Sequence, residues 1–295
     1  MMIQWYPGHM AKAKRILKED LKLVDIVIEV ADARIPISSQ NPDLRKLINE
    51  QSKVTVLNKK DLADAEFNQK WIDFFQNQTD KDAVLLNSLT GEGVSELKSI
   101  LNNTYDQIAS KLAQKGRNPR RLRAMIIGIP NVGKSALINL LAGSKITTIG
   151  NKPGVTKGRQ WVNVSKKIRL LDTPGILWPK FSDEDKAYKL ALTGAVDNDI
   201  FDAELAAYKL IDFIIEINED LLLDAYGLDY LETQAYDILA DIARKRGCLM
   251  TGGKVDRNRA AGIVINDFRD GKLGRITLEK PAEAAELKVE TDNEE

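Results

Sequence analysis

The sequence predicts an α/β fold, a mainly parallel sheet with flanking helices, followed by a smaller all-helical domain. Three observations predict it. Short runs rich in branched apolar residues alternate with longer helix-competent stretches through the first half. Loop and turn residues follow several of those runs, as at Gly128 and Asp172. After about Pro179 the apolar residues recur at helical spacing instead. With 295 residues, 43% of them hydrophobic, the chain can bury the core of one large or two ordinary domains, which excludes global disorder.

The elements follow in order. Val24 to Ala31, Val54 to Leu57, Ala83 to Leu86 and Ala124 to Ile127 are short and branched, as strands buried on both faces should be. Between them, 42–50, 66–76 and 94–113 read as helices, giving βαβ alternation. Gln160 to Val164 and Ile168 to Leu171 are further strand candidates around the turn-like Ser165-Lys166-Lys167. In the second half, Leu231, Ala235, Ile238, Leu239 and Ile242 fall on one helix face, as do Ala261, Val264, Ile265 and Phe268, and 205–217 is almost wholly apolar. The expected division is a first domain over 1–180, a helical domain over 181–280 and an acidic tail over 281–295. No internal repeat is visible, and 116–121 is the best internal linker.

Composition narrows the setting. The single cysteine, Cys248, cannot close an intramolecular disulfide, so a cytoplasmic protein is expected. The start lacks a signal-peptide pattern and no run approaches 18 apolar residues, so no membrane partner is expected. The 43 basic residues balance 43 acidic ones, yet 111–123 and 145–169 are basic without an acid. Such blocks are ordinarily solvated surface; the alternative is a partner carrying phosphate.

Chemistry concentrates in four places. Gly128-Ile129-Pro130-Asn131-Val132-Gly133-Lys134-Ser135 matches G-x-x-x-x-G-K-[ST] between a strand and a helix opening at Ala136. Its glycines let backbone N–H groups of Asn131, Val132, Gly133 and Ala136 approach phosphate, Lys134 adds positive charge, and Ser135 offers a hydroxyl to Mg²⁺. Asp172-Thr173-Pro174-Gly175 ends a strand, where an acid can hold Mg²⁺ and Gly175 can offer its N–H to a γ-phosphate. Between them, 150–158 is basic and glycine-rich and supplies Thr156 as a third metal ligand, with Thr147 and Thr148 as competitors. Asn58-Lys59-Lys60-Asp61 follows a strand, and the Asp61 carboxylate can accept both hydrogen bonds from guanine's N1–H and amine, donors that adenine lacks. Asn58 would brace that loop while the Lys59 stem, beside Lys60, covers the base. Asn87 and Ser88, in the stretch that closes the strand Ala83 to Leu86, are looser candidates for backbone contact with the guanine oxygen.

The order is unusual. In ordinary GTPases the phosphate loop comes first and the guanine motif last, whereas here 58–61 and 87–88 precede 128–135, and Thr156 and Asp172 follow. That is a circularly permuted P-loop GTPase domain, with 116–121 joining the old ends. The chain leaving Gly175 runs into the helical domain, so nucleotide state should be felt there first.

With its permuted motifs, its opening Gln4-Trp5-Tyr6-Pro7-Gly8-His9-Met10 and a C-terminal helical domain, the chain resembles the YlqF/RbgA family of circularly permuted ribosome-assembly GTPases. The resemblance implies GTP hydrolysis to GDP coupled to late maturation of the large ribosomal subunit, with its rRNA as a partner and a monomer off the ribosome. The glutamine that commonly orients water after the DxxG glycine is Ile176 here. For that role the resemblance points to His9, the one histidine in the chain, against a structural or RNA-facing histidine. It also implies that Asn131 helps to hold K⁺ near the phosphates, against a residue that only stabilises its loop. Trp5, Tyr6, Lys12, Lys14, Arg15 and Lys18, and the group Arg244, Lys245, Arg246, Lys254, Arg257 and Arg259, would meet RNA by charge and stacking, or else be ordinary packed and solvated residues. Two rivals stand beside the GTPase: an RNA-docking switch of the same fold with incidental hydrolysis, and a small-molecule kinase, which Asp61 disfavours.

Overall fold

The computed structural model describes residues 15–40, 47–48, 52–78, 82–144, 160–172 and 184–282, with the backbone alone at 160 and 172. Two compact units divide them, one within 4–180 together with the stretch from Glu279, the other within 181–278.

In the first unit the branched runs become strands. They are β1 (Ile26–Asp32), β2 (Ser52–Asn58), β3 (Ala83–Leu86), β4 (Leu122–Ile127), β5 (Gln160–Asn163) and β6 (Ile168–Asp172), with helices α1 (Ala65–Gln78), α2 (Val94–Gln114) and α3 (Lys134–Ala142). β1 is buried at every residue, as its central place requires. The sheet order is β3-β2-β1-β4-β6-β5, and every neighbouring pair is parallel except β5 with β6 at the edge.

Alternation along the strands divides the core between two faces. On one face, Ala31, Leu57 and Ala83 meet Trp71, Ile72 and Phe75 of α1. On the same face Val27, Met125 and Leu171 meet Leu17 and Leu21 of the helical stretch 15–21. Leu97 and Leu101 of α2 and Leu137 and Ile138 of α3 are buried, and these helices lie against β3, β4 and β6 and against β5 and β6. The Asp64 carboxylate caps α1 by accepting the N–H groups of Glu66 (2.8 Å) and Phe67 (3.0 Å).

Parallel pairing decides where chemistry can occur. The carboxyl ends of β1, β2, β3, β4 and β6 lie along one edge, the edge at which open α/β sheets bind ligands. Register sets Asp32 beside Asn58, Asn58 beside Leu86, and Ile126 beside Asp172.

The second unit is helical: α4 (Glu184–Leu192), α5 (Ala203–Asn218), α6 (Asp220–Tyr226), α7 (Ala235–Lys245) and α8 (Arg257–Arg269). α5, α7 and α8 pack on one another through Leu210, Ile211, Ile214, Ile238, Leu239, Ile242, Val264 and Phe268, all buried. Carboxylates at Asp202 and Asp256 cap α5 and α8 by accepting from Leu205 (3.1 Å) and Arg259 (2.9 Å). Cys248 is fully buried between α7 and α8, at the foot of a turn closed by the Leu249–Val255 bridge.

Several expectations are amended. β2 and β4 start two residues earlier than the apolar runs suggested, because pairing with β1 carries β2 back to Ser52 and pairing with β6 carries β4 back to Leu122. Leu231 precedes α7, which starts only at Ala235, and α4 and α6 were not singled out in the sequence. Of the expected helix at 42–50, only Leu47 and Ile48 are among the described residues. Glu279 belongs with the first unit, whereas the expected helical domain ran to 280. Its buried carboxylate accepts the Ile37 N–H at 2.7 Å and bonds the Ser38 N–H and hydroxyl, and its carbonyl accepts Trp71 Nε1–H at 3.2 Å. Pro281 and Ala282 are helical, and 283–295 lie outside the described residues.

Candidate functional site

The phosphate-type loop joins β4 to α3. Gly133, at φ 102°, is the N-cap of α3, so the helix and the positive end of its dipole begin directly after the loop that leaves β4. A Cβ on Gly133 would sit 2.2 Å from Asn58 Nδ2, and one on Gly128 would sit 2.4 Å from the Val30 carbonyl. Both glycines are therefore demanded by closeness of neighbouring loops as well as by backbone angle. Lys134 is buried, and its ammonium donates to the carbonyls of Gly128 (3.1 Å) and Ile129 (2.7 Å), lying within its own loop. Val132 and Ala136 are buried, and Asn131 and Ser135 are half-buried.

The guanine-type loop leaves β2 and meets the phosphate-type loop through one side chain. Asn58 is buried; its Nδ2 donates to the Val132 carbonyl (2.8 Å) and to Ser88 Oγ (3.1 Å), and its Oδ1 accepts the Ser88 N–H (3.0 Å). It thus ties together the ends of β2, β3 and β4, as expected of a brace. Asp61 is half-buried in the turn that follows, and Lys60 forms an ion pair with Glu92 from the loop after β3. Ser88 meets Asn58, and the Asn87 side chain turns into its own loop. Its Oδ1 accepts the N–H groups of Leu89 (2.9 Å) and Thr90 (3.2 Å), which shapes the turn before α2.

Two non-glycine residues among those described have positive φ, Lys59 at 60° and Asn131 at 57°. Strained backbone of this kind persists where surroundings over-determine it and collects at functional sites. For Lys59 the fixing group is Asp32, absent from the sequence-derived site. Lys59 Nζ lies 2.9 Å from Asp32 Oδ2, and Arg34 donates Nε (3.0 Å) and Nη2 (2.9 Å) to the same carboxylate. Burial alone would push the Asp32 carboxyl up; Arg34 and Lys59 outweigh it and hold the group well below the usual carboxylate range. A sequence signal did exist, an acid ending a branched strand, the pattern that singled out Asp172.

The remaining sequence-derived residues are less completely placed. His9, Thr156 and Gly175, with Ile176, lie outside the described residues. Asp172 ends β6 next to Ile126, one strand from the phosphate-type loop. Ser135 stands near the start of α3 and Asp172 closes β6; a hydroxyl and a carboxylate are hard oxygen donors, the chemistry that fits Mg²⁺.

The basic blocks are partly internal. Asp25 takes Arg120 through two bonds (2.6 and 2.7 Å) and Arg123 at 3.2 Å, closing the junction before β4. Burial raises the Asp25 carboxyl, but bonds from Arg120 and Arg123 prevail and lower it to about 2. Arg121 bonds Asn163 and Lys167 pairs with Asp106. In the helical unit, Arg244 pairs with Asp241, Arg246 with Asp267, and Arg257 lies 3.6 Å over the exposed Tyr236 ring. Lys245, Lys254 and Arg259 are exposed, as are Arg15 and Lys18 in the first unit, whereas Trp5, Tyr6, Lys12 and Lys14 lie outside the described residues. Among the described residues no helix is long and apolar enough to cross a membrane.

Joining the ends of an ordinary GTPase and reopening it ahead of its guanine motif reproduces this order of strands, and the sheet still brings the two loops together at Asn58. The class is the circularly permuted P-loop GTPase. Residues 123–242 match a family model described as 50S ribosome-binding GTPase. The ribosome biogenesis GTPase A of Bacillus cereus is 42% identical over 97% of this chain and 96% of its own length. GNP-bound YlqF from Thermotoga maritima superposes with a TM-score of 0.63 at 30% identity, covering 92% of this chain and 98% of that one. The GDP-bound form gives 0.65 at 28%, over 91% and 100%. The chain belongs to the ribosome biogenesis GTPase A family, also called YlqF/RbgA.

Proposed function

We propose that this GTPase hydrolyses GTP to GDP and phosphate with Mg²⁺, in the cytoplasm, and that it acts in late assembly of the large ribosomal subunit, stimulated by that subunit. The observation that carries the nucleotide part is the Asn58 brace, 2.8 Å from the Val132 carbonyl. It holds a base-selecting loop and a phosphate-binding loop in one fixed relation. Asp61 selects guanine, the Lys59 stem covers the base, the backbone at Ser88 faces the guanine oxygen, and Lys134 turns from its loop carbonyls to the β/γ-phosphates. Ser135, Thr156 and Asp172 would hold Mg²⁺, which when bound offsets phosphate charge; Asn131 would hold K⁺ beside it. Gly175 would sense the γ-phosphate.

His9 orients the attacking water in this reading, because Ile176 cannot. The stretch 15–21 gives support: Leu17 and Leu21 seat it against Ile127 and Leu171, the residues that precede Gly128 and Asp172. His9 lies six residues before Arg15, a stretch that spans at most about 20 Å when extended. For rRNA, the exposed Tyr230, the Tyr236–Arg257 pair, Lys245, Lys254 and Arg259 offer stacking faces and charge on the helical unit. The protein off the ribosome is a monomer in this proposal.

Ile176 also favours a second reading, a nucleotide-controlled RNA-docking switch whose hydrolysis is incidental. The deciding experiment measures multiple-turnover GTP hydrolysis by the native protein and His9→Ala, alone and with large ribosomal subunits, in K⁺ and in Na⁺. Stimulation that disappears in His9→Ala while nucleotide and subunit binding persist is the expected result. Absence of stimulation in either salt, despite nucleotide-dependent subunit binding, would move the assignment to the docking switch.

A further inference from the structure

We propose that Asp32 is a positioning residue for guanine nucleotide: its buried carboxylate anchors the Lys59 ammonium so that the Lys59 stem is held where it covers one face of the base. The inference rests on the reading of 58–61 as the guanine loop and adds to it a residue from a different strand. Asp32 ends β1, beside Asn58 in register, so the chain order that separates them in sequence is erased by the sheet.

Three features support the assignment. First, Lys59 has its backbone at φ 60°, a conformation that a lysine adopts only when something fixes it, and its ammonium is 2.9 Å from Asp32 Oδ2. Its carbonyl accepts the Leu62 N–H at 2.9 Å and Asn58's carbonyl accepts the Ala33 N–H at 2.8 Å, so the loop is fastened on both sides of the strained residue. Second, Asp32 is 1% exposed while the Lys59 side chain is 22% exposed. The acid is a fixed internal post, and the lysine stem is the part that faces outward. Third, Asp32 cannot drift. Arg34 grips it through two bonds, its own N–H donates to Ser39 Oγ at 2.9 Å, and that hydroxyl donates to the Ile35 carbonyl at 2.7 Å. With Arg34 on the same carboxylate, Asp32 keeps a partner even when Lys59 swings, so the post survives loss of the lysine.

The base is common to GDP and GTP, so a device that acts on it changes affinity for both alike and leaves hydrolysis at saturation untouched. Phosphate discrimination belongs to Lys134 and the metal ligands, and guanine choice to Asp61.

The test is a double-mutant cycle on the full chain with Asp32→Asn and Lys59→Met, the latter keeping an apolar stem without its anchor. A fluorescent GDP and a fluorescent GTP report Kd, and steady-state hydrolysis separates KM from kcat. Each single variant is expected to weaken both nucleotides about tenfold, with the GTP-to-GDP ratio and kcat unchanged, and the double variant to be no weaker than the weaker single. Multiplying effects in the double variant, unchanged affinity in Asp32→Asn, or a fall in kcat at unchanged KM would overturn the proposal. Should Asp32→Asn fail to fold, Ser39→Ala takes its place, since it loosens the post without removing its charge. A smaller loss of affinity that vanishes in the Lys59→Met background is then expected; a loss that persists there overturns the role. If the native protein shows no preference for guanine over adenine nucleotides, the reading of the loop itself has failed. Guanine preference together with an additive cycle refutes only Asp32.

Discussion

Replacing Asn58 by alanine tests the feature on which the site depends. The side chain makes bonds of 2.8 and 3.1 Å to the Val132 carbonyl and Ser88 Oγ and receives one of 3.0 Å from the Ser88 N–H, and it is 1% exposed. At about 1 kcal/mol for each buried bond, Asn58→Ala loses about 3 kcal/mol, with more if the Val132 carbonyl finds no water. In a domain of this size each kcal/mol moves Tm by about 2–4 °C, so Tm should fall by about 6–12 °C. Nucleotide affinity should fall as well, because ligand binding must then re-form the relation between the two loops; a cost of about 1.4 kcal/mol is a tenfold rise in Kd. Urea denaturation and equilibrium binding of fluorescent GDP read the two effects separately. Asn58→Asp is the informative companion: it keeps the acceptor for Ser88 and sets a carboxylate against the Val132 carbonyl, so it should bind no better than the alanine variant. Native-like Tm together with native-like GDP affinity in Asn58→Ala would refute the claim that this side chain holds the site together.

Other outcomes follow from the same geometry. Gly133→Ala places a methyl 2.2 Å from Asn58 Nδ2 at φ 102°, and binding of both GDP and GTP should drop at least about tenfold in titration calorimetry, whereas an unaffected Kd would mean that the loops separate freely. Asp61→Asn should shift preference from guanine toward xanthine nucleotides in competition binding, and retained guanine preference would remove Asp61 from the base site. The Asp25 carboxyl sits at about 2 against an ordinary value of 3.8, so its stabilisation is present above about pH 4 and is lost as pH falls toward 2. Its ceiling is about 2 kcal/mol, so the gap in urea midpoint between the native protein and Asp25→Asn should close over that range, and a gap independent of pH would show that the Arg120 and Arg123 bonds do not depend on ionisation. Glu279→Ala strips buried acceptors from the Ile37 and Ser38 N–H groups and should lower stability by about 2–3 kcal/mol in denaturant melts; a change under about 0.5 kcal/mol would make the contact incidental.

Much of this protein is determined by local sequence. Branched runs specify buried parallel strands, and β3 begins and ends where the Ala83 to Leu86 run does. Glycines at 128 and 133 with Lys134 and Ser135 specify a phosphate-type loop, because only that spacing combines backbone donors, a cation and a hydroxyl between strand and helix. The permuted order of motifs is likewise a property of the chain alone. What only the tertiary structure decided is which polar groups share a neighbour. Asn87 and Ser88 are adjacent in sequence, yet one turns into its own loop and the other meets Asn58, a choice made by the turn before α2. Glu279 lies at the start of an acidic stretch and still becomes a buried acceptor for Ile37 and Ser38. Asp32 ends β1 and Lys59 follows the end of β2, and no local pattern pairs them; parallel register does, by setting the ends of β1 and β2 side by side. Periodicity and spacing encode what a segment can form by itself, whereas contacts between segments depend on strand order and register, and those are decided by how the whole sheet buries its two apolar faces.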